Sequence, residues 1–377
     1  MHPAIYVLAV TTFATATTEF GIVGIVPRIA AEFGLSLAES GRIVSVYALA
    51  MICGAVGINL VGRRFAVRRI IVVAILLFAL ANLFSALASD YAMLLVGRAW
   101  SGLSQGAVYG LGTAAAATIA ERSHATRAVS VVFIGPTVAM VLGVPLAAIA
   151  SIGHDWRIVF AVVGLVALAS CAVLSRLMPE TRGLAIVPAR QMTGLAGNRK
   201  LIAIYAVTIL TFGGSTMAFT YFPTLIAQGG AGAGFYLTVF GFGTVVGNLL
   251  AGRVSDRAGY ATAATLAIVG LIACLLLLPL ALSWPAGLAP LVFFWGLFAF
   301  SLPPVLQTEA VMVARAEGLS AAASSLNTAA FNVGIGAAAL LASLVVEAAG
   351  LPVIPLAGAG LALAGLVVAL FLHRRAG

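Results

Sequence analysis

The sequence predicts an all-α membrane protein whose chain crosses the bilayer about twelve times, in two halves of six helices each. Its residues are 62% hydrophobic and only 8% charged, whereas a soluble domain has about 25% charged residues. The mean hydropathy is +1.15. Apolar runs long enough for a bilayer core of about 30 Å recur throughout the chain. These observations exclude a soluble globular domain.

The predicted spans follow one another with short polar connections. The first apolar stretch, from about Ala4 to Val26, is longer than the 7–15 residues or so of a signal-peptide core and lacks a basic segment before it. We therefore expect it to stay as the first span. The twelve predicted spans are 4–27, 41–62, 70–88, 92–119, 129–152, 158–178, 200–226, 233–252, 261–282, 287–312, 321–346 and 352–372.

Basic residues are distributed unequally between the two sides of this topology. Arg28, Arg42 and Arg157 fall on one side. The other side has sixteen: Arg63, Arg64, Arg68, Arg69, Arg122, Arg127, Arg176, Arg182, Arg190, Arg199, Lys200, Arg253, Arg257, Arg315, Arg374 and Arg375. Cytoplasmic loops are enriched in such residues, so both termini are predicted to be cytoplasmic. The net charge of +9 thus reflects topology, and no nucleic-acid partner is expected.

The longest polar stretch, 179–199, separates six predicted spans from the next six. We interpret it as a cytoplasmic linker between an amino-terminal half, 1–178, and a carboxy-terminal half, 200–377. A faint internal similarity places Tyr47–Gly54 on Phe240–Gly247. Transporters built from two parallel six-helix repeats bind substrate near the bilayer midplane, between the repeats.

Cysteine and histidine give no sign of a metal site, a disulfide framework or another cofactor. Cys53, Cys171 and Cys274 lie in apolar runs at unrelated spacings, which is typical of small buried residues. The four histidines fall at the termini or in predicted loops. HExxH, GxSxG and pairs of intramembrane histidines or aspartates are absent from the sequence, so an enzyme is not expected.

Two charged residues lie within predicted spans. Glu19 is about 12 Å of helix from the predicted periplasmic end of its span, and Arg98 is about 9 Å from the same end of its own, so an ion pair between them is geometrically feasible. Intramembrane ionisable groups are functional candidates by default. Burial favours a protonated carboxyl and a nearby arginine favours an ionised one, which suits proton coupling. A permanent structural pair is the alternative. The polar residues accompanying them along their helices are Thr15, Ser101, Gln105 and Tyr109.

Two spans of the second half carry stripes of aromatic and small polar residues. The predicted span 200–226 places Phe212, Ser215 and Phe219 on one face, and the span 321–346 places Asn327 and Phe331 on one face. We predict that these residues line a substrate cavity together with Thr15, Gln105 and Tyr109. Helix–helix packing is the alternative interpretation of the same stripes.

Glycine-rich and proline-rich motifs occur at three places. Gly252-Arg-Val-Ser-Asp256-Arg257-Ala-Gly259 lies between two spans, where its glycines permit a tight turn. The span 129–152 contains Gly135-Pro136 and Gly143-Val-Pro145, residues that mark a bend or a close helix contact. Arg98 and Gly102 form an R-x-x-x-G pattern.

These motifs resemble those of the major facilitator superfamily. The first resembles its loop signature G-x-x-x-D-R-x-G, the second its antiporter motif and the third its fourth-helix motif. In the first-half loop Arg63 occupies the position equivalent to Asp256, so the gating role of the acidic residue does not extend to that loop. The segments TTEFGIVGIVP, LLVGRAWSGLSQG and SSLNTAAFNVGIG resemble the drug:proton antiporter branch, and within it bacterial arabinose-type sugar efflux proteins.

The resemblance implies a secondary transporter of the bacterial inner membrane that exports a small neutral or weakly cationic molecule, sugar-like or drug-like, in exchange for protons. Its partners would be the substrate, protons and the lipid bilayer, and the chain would be a monomer. Glu19 and Arg98 would couple the proton, while the loop and antiporter motifs would serve gating. An uptake permease or facilitator on the same fold is the main alternative. A receptor that does not transport is a more remote one.

Overall fold

The computed structural model describes residues 2–61, 66–119, 125–153, 155–180, 195–227, 232–315 and 319–374, and these residues are almost entirely helical. The helices, in chain order, are α1 (Pro3–Phe33), α2 (Leu37–Val61), α3 (Val67–Ala86), α4 (Tyr91–Ile119), α5 (Ala125–Val138), α6 (Val144–Gly153), α7 (Arg157–Leu177), α8 (Arg199–Ala227), α9 (Ala233–Ala281), α10 (Pro285–Ala314), α11 (Ser320–Ala349) and α12 (Ile354–Arg374). Each of the twelve predicted spans overlaps this helical structure.

Ten helical segments of the described chain are long and apolar enough to cross a membrane. One of the ten is a single segment made of α5, a π-helical turn (Ala139–Gly143) and α6. The remaining helix of comparable length is α4, which carries Arg98. The protein is therefore a multi-pass membrane protein, as the composition predicts.

The helix α9, with 49 residues, contains two predicted spans and the connection between them. The backbone leaves helical geometry only at Gly259, where φ is 82° and ψ is 159°. Side chains other than hydrogen are strained at such a φ, so glycine is the residue that tolerates this break. The polar connection predicted between 252 and 261 is thus helical on both sides of one glycine, a tighter connection than the sequence suggested.

Helix termini are set by local capping. Gly34 ends α1 in the left-handed region with φ 63°, and its N–H bonds the Ala30 carbonyl. Before α2, the Glu39 N–H donates to Ser36 Oγ at 3.2 Å and the Ser36 N–H donates to Glu39 Oε2 at 2.9 Å. This reciprocal pair is a capping box, which satisfies backbone donors that the first helical turn leaves without partners.

A π-helical turn joins α5 to α6. Pro145 has no N–H to donate back along the helix, so regular α-helical bonding cannot continue through it. Pro136 precedes the turn and Pro145 follows it. Such turns occur inside α-helices where the regular pattern must shift.

The chain divides into two compact units, one formed by 1–34 with 46–188 and the other by 35–45 with 189–377. In the first unit, a buried core includes Leu8, Phe78, Val108 and Leu174. In the second, a smaller cluster includes Met217, Tyr221, Ala342 and Ile354. The predicted halves 1–178 and 200–377, with their linker, stay a prediction.

Large apolar side chains also cover the outside of the helices. On α3, Phe78 is buried, whereas Leu76, Leu77 and Leu80 are exposed. The same holds for Leu276, Leu277 and Leu280 on α9. Contiguous exposed apolar surface is unfavourable in water and favourable against lipid tails, so these faces are the expected lipid contact.

Candidate proton and substrate site

Glu19 lies more than half-way along α1 and is half-buried. Its Oε2 accepts a hydrogen bond from Gln105 Nε2 on α4 at 2.6 Å. The hydroxyls of the threonines on the preceding turn donate to backbone carbonyls of α1 itself. Thr15 Oγ1 donates to the Thr12 carbonyl at 3.1 Å, and Thr17 Oγ1 donates to the Phe13 carbonyl at 2.8 Å. Gln105 is thus the neighbour that binds the Glu19 carboxyl directly.

Arg98 on α4 is fully buried, at 0% exposure. Its Nη1 donates to the Thr18 carbonyl on α1 at 3.1 Å. The guanidinium carbon lies 3.9 Å from the centre of the Tyr47 ring on α2, a cation–π contact. Arg98 Nε and Nη2 have no hydrogen-bond partner among the described residues. A buried cation with two unused donors is costly and is expected only where it serves a function.

Glu19 and Arg98 do not form the direct ion pair that their depths made feasible. Instead Gln105 and Tyr47 stand between them. Tyr47 Oη donates to Gln105 Oε1, and the other end of the same amide donates to Glu19. Gln105 and Tyr47 are 0% and 2% exposed. The link from the acid to the arginine is therefore a chain of two neutral side chains.

Glycines let α2 and α4 approach closely enough for this chain. A side chain at Gly102 would overlap the Tyr47 carbonyl, and one at Gly106 would overlap the Met51 carbonyl. From the other helix, a side chain at Gly54 would overlap the Leu103 carbonyl. The R-x-x-x-G pattern thus combines the charged residue with the glycine that brings Tyr47 to it, as small residues do at membrane helix contacts.

Asn82 on α3 is a buried residue of this site that the sequence analysis missed. Its Oδ1 accepts from Thr18 Oγ1 at 2.7 Å, and its Nδ2 donates to the Phe78 carbonyl at 2.8 Å and to Ser101 Oγ at 3.4 Å. Thr18 is also the residue whose carbonyl receives Arg98. An asparagine within the apolar run IIVVAILLFALANLF is the signal that could have found it.

The predicted cavity residues of the first unit differ in accessibility. Thr15 and Gln105 are buried, whereas Tyr109 is half-buried and hydrogen-bonded to Thr15. The geometry thus brings Thr15, Tyr109, Gln105 and Glu19 together on facing sides of α1 and α4.

In the second unit, Asn327 belongs to a polar chain through three helices. Thr208 Oγ1 on α8 donates to Asn327 Oδ1 at 2.8 Å, and Asn327 Nδ2 donates to Gln307 Oε1 on α10 at 2.7 Å. Gln307 Nε2 then donates to the Ser324 carbonyl at 3.1 Å. Asn327 is fully buried, so in this structure its amide is engaged by protein groups.

The predicted aromatic stripe of α8 packs against rings of α9, α10 and α11. Phe212 lies 5.1 Å from Phe331 between ring centres, and Phe219 lies 4.7 Å from Phe240. Ser215 Oγ accepts a hydrogen bond from Trp295 Nε1 at 3.0 Å. Phe212, Ser215 and Phe219 are buried, while Phe331 is half-buried. Trp295, which also contacts the Phe219 and Phe240 rings, is a partner in this cluster that was not predicted from the sequence.

The motif residues fall at helix contacts and at a surface break. A side chain at Gly135 would overlap the Ala9 carbonyl and Thr12 Oγ1, and one at Gly143 would overlap Thr17 Oγ1, so both glycines allow close packing on α1. Pro136 is half-buried and Pro145 buried, on either side of the π-helical turn. Gly252, Asp256, Arg257 and Gly259 are exposed.

Among the residues that the structure describes, there is no group of three or more histidine, cysteine, aspartate or glutamate side chains that could hold a metal ion.

Glu309 is a further acidic residue of the second unit. It lies near the end of α10, is half-buried and interacts with a neighbouring group.

The family model of the Major Facilitator Superfamily matches residues 8–321. The chain belongs to this superfamily. Family membership makes it a membrane transport protein and not an enzyme. The matched residues include parts of both compact units, and they contain Glu19, Arg98 and the Gly252–Gly259 motif.

Three relatives are similar along most of the chain. The uncharacterized MFS-type transporter YtbD of Bacillus subtilis is 32% identical over 360 residues, covering 93% of this chain and 90% of that protein. The inner membrane transport protein YdhP of Escherichia coli is 29% identical, covering 94% and 93%. A probable sugar efflux transporter of Mannheimia succiniciproducens is 28% identical, covering 94% and 90%.

Among solved structures, the nucleoside transporter NupG (a D323A mutant) superposes with a TM-score of 0.79, covering 98% of both chains at 10% sequence identity. At this identity the likeness concerns the fold alone. It agrees with the all-α major facilitator architecture that the span pattern and motifs predict.

Proposed function

We propose that this protein is a secondary transporter that exports a small neutral or weakly cationic molecule, sugar-like or drug-like, in exchange for protons. Its halves, 1–178 and 200–377, alternate in exposing the substrate site, with 179–199 as their linker. The membrane is the bacterial inner membrane, with both termini in the cytoplasm. Glu19 binds the transported proton, and Arg98 favours its release.

The position of Glu19 carries this proposal. A half-buried carboxyl within a membrane span, bonded to a buried amide and near a buried arginine, has strong opposing influences on its protonation. A carboxyl balanced in this way can take up and release a proton as its surroundings change. A purely structural acid would be expected to pair directly with the arginine, and Glu19 does not.

The substrate class rests on the chemistry of the predicted cavity residues. Tyr109 in the first unit and Phe331 in the second are accessible in part. The predicted cavity residues Thr15, Phe212, Ser215 and Phe219 carry hydroxyl or aromatic groups, while the amides of Gln105 and Asn327 are engaged by protein groups. Such a set suits hydroxyl-bearing or amphipathic molecules better than highly charged ones. A relative named as a probable sugar efflux transporter is consistent with this class. The exposed Asp256 and Arg257, beside the break at Gly259, would act in gating.

The test is proton release from everted inner-membrane vesicles that contain the protein, with a pH-sensitive dye. The panel comprises sugars, nucleosides, chloramphenicol-like drugs and lipophilic cations, and vesicles without the protein are the control. We expect at least one compound to discharge the gradient in a protein-dependent way. If no compound does so while the purified protein still exchanges one across a membrane, a permease or facilitator is the better assignment.

A further inference from the structure

The two ends of the Gln105 amide bind different partners, and neither end has access to solvent. Nε2 donates to Glu19 Oε2 at 2.6 Å, and Oε1 accepts from Tyr47 Oη. Gln105 is 0% exposed and Tyr47 is 2% exposed. Gln105 is predicted from the sequence to line the substrate cavity, but in the structure its amide is fully buried and each of its ends is bonded to a protein side chain.

This arrangement suits the ionised form of Glu19. An ionised Oε2 accepts from the amide N–H, whereas a proton bound on Oε2 requires an acceptor, and an amide NH₂ cannot accept. When Glu19 binds a proton, the amide can satisfy both neighbours by turning over. Its Oε1 then accepts from the Glu19 O–H, and its Nε2 donates to Tyr47 Oη. A phenol hydroxyl can either donate or accept, so Tyr47 tolerates both states.

The reversal reaches Arg98 through Tyr47, because the guanidinium lies against the face of that ring. Arg98 Nε and Nη2 have no partner among the described residues, and its one hydrogen bond there is to the Thr18 carbonyl. The guanidinium is therefore held mainly by the ring and one carbonyl. A change in the hydrogen bond of Tyr47 alters the position and polarity of the surface on which Arg98 rests.

We propose that Gln105 and Tyr47 are positioning residues that transmit the protonation state of Glu19 to Arg98 by reversing this hydrogen-bond chain. The proposal rests on the proposed function, since it takes Glu19 to be the group that binds the proton. It adds that the arginine senses that proton through two neutral side chains instead of a direct ion pair. The proton comes from water at the accessible side of Glu19 and returns there.

The other titratable or charged groups that face Glu19 must be considered with it. They are Arg98 and Tyr109 from α4 and Tyr47 from α2. The described side chains of α5 and α6, which pack on α1, carry no charged group against it. The helix α7 also packs on α1, and its arginines lie at its two ends, Arg157 paired with Glu32 and Arg176 in the last turn. Tyr109 is bonded to Thr15 and lies outside the amide chain, so it provides a matched control for Tyr47.

The experiment is a pH titration of the purified full chain by infrared difference spectroscopy, which needs no cargo. Glu19→Gln identifies the carboxyl band, and Tyr47→Phe identifies the tyrosine ring band among the eight tyrosines. In the wild type we expect the Tyr47 band to change with the same midpoint as the Glu19 band. In Gln105→Met, Glu19 still titrates but the Tyr47 band no longer responds. In Tyr109→Phe the joint change persists.

The outcomes separate the two proposals. If the wild type shows no Glu19 titration, Glu19 is not the proton carrier and the proposed function loses its main support. If Glu19 titrates but the Tyr47 band stays constant, or responds equally in Gln105→Met, the relay is wrong and the proton carrier stands. A response that disappears in Tyr109→Phe but persists in Tyr47→Phe also overturns the relay.

Discussion

At the scale of single residues, Arg98 is a fully buried cation with two nitrogen atoms that have no hydrogen-bond partner among the described residues. An arginine at the centre of a membrane helix costs about 2.5–3.5 kcal/mol on insertion scales, and a desolvated cation–π contact recovers about 2 kcal/mol. Its hydrogen bond to the Thr18 carbonyl at 3.1 Å, the one that it makes with the described residues, recovers part of the rest. The position of the Thr18 carbonyl therefore matters for holding the arginine in place.

Asn82 fixes the residue that offers this carbonyl. We expect Asn82→Leu, which keeps the side-chain volume but removes the amide, to leave the Thr18 and Ser101 hydroxyls without a partner. Hydrogen bonds between membrane helices contribute about 0.6–2 kcal/mol each, so the free energy of unfolding should fall by about 1–2 kcal/mol. Thermal unfolding in detergent measures the loss. Leu80→Ala on the exposed face of the same helix is the control and should have a smaller effect; equal effects would contradict the role of Asn82.

The sequence was sufficient to identify Glu19 and Arg98, because a charged residue within an apolar run is visible without any structure. It was not sufficient to find Tyr47, or to place Gln105, which was predicted to line the substrate cavity, between the acid and the arginine. Which side chains meet depends on the rotation of α2 and α4 about their axes and on the close approach that Gly102 and Gly106 allow. Neither quantity can be obtained from spacing along one helix.

At the scale of helices, the packing of α1 depends on glycines in its neighbours. Gly135 of α5 and Gly143 of the π-helical turn lie against α1. On α1 itself, Gly21 and Gly24 lie against Ala147 and Ala148 of α6. The segment that carries Glu19 is therefore held by backbone-to-backbone contact. The glycine–proline motif predicted a bend or a close contact, and the structure has the close contacts, together with a π-helical turn at Ala139–Gly143.

Substituting a glycine at this contact should be harmful, whereas the same change in open space should not. In Gly135→Ala the added methyl group meets the Ala9 carbonyl and Thr12 Oγ1, while a methyl group at Gly57 meets nothing within 4 Å. We expect Gly135→Ala to lower the free energy of unfolding by about 1–3 kcal/mol and Gly57→Ala to leave it nearly unchanged. Melting temperatures in detergent compare the two, and similar values would refute close packing of α5 on α1.

Arg157, at the start of α7, joins three segments of the first unit. It donates to Glu32 Oε1 at the end of α1 at 2.8 Å and to the Ala88 carbonyl after α3 at 2.6 Å, and Trp156 Nε1 donates to Glu32 Oε2 at 2.6 Å. Trp156 and Arg157 belong to the Asp155-Trp156-Arg157 sequence, which follows the glycine–proline motif of α5 and α6. The arginine fork makes bonds in several directions that a lysine cannot reproduce.

We expect Arg157→Lys to destabilise the protein by about 1 kcal/mol, because the ammonium loses the paired geometry and the site is only partly screened by solvent. Arg176→Lys, at the exposed far end of the same helix, should have almost no effect. Thermal unfolding at low and high salt measures both variants. A loss that is as large for Arg176→Lys would show that charge alone, and not the contacts of Arg157, is responsible.

At the scale of the whole molecule, the distribution of basic residues predicts the orientation in the membrane. The loop containing Ala258 lies on the side rich in arginine, and the connection containing Ser89 lies on the other. In a background without the native cysteines, a membrane-impermeant maleimide should label Ser89→Cys in intact cells and Ala258→Cys only in everted vesicles. Both residues are exposed, so accessibility alone does not decide the result. The reverse labelling pattern would invert the predicted topology.

The architecture as a whole was more predictable than the site. Hydropathy determines where helices cross the bilayer, because every backbone polar group must be satisfied within the span, and each predicted span overlaps helical structure in the described chain. The sequence predicted a polar connection between the spans 233–252 and 261–282, whereas the structure has helix on both sides of Gly259. The spacing of the spans did not indicate this, because a single glycine can replace a loop of several residues.

The central claim is that Glu19 carries the transported proton, and the most direct test is proton movement in proteoliposomes with a compound that the wild type exports. Glu19→Gln is compared with Glu180→Gln, the same change at an exposed position outside the spans. We predict that Glu19→Gln abolishes proton movement driven by the compound while Glu180→Gln retains it. Normal, pH-dependent proton movement in Glu19→Gln would contradict the account.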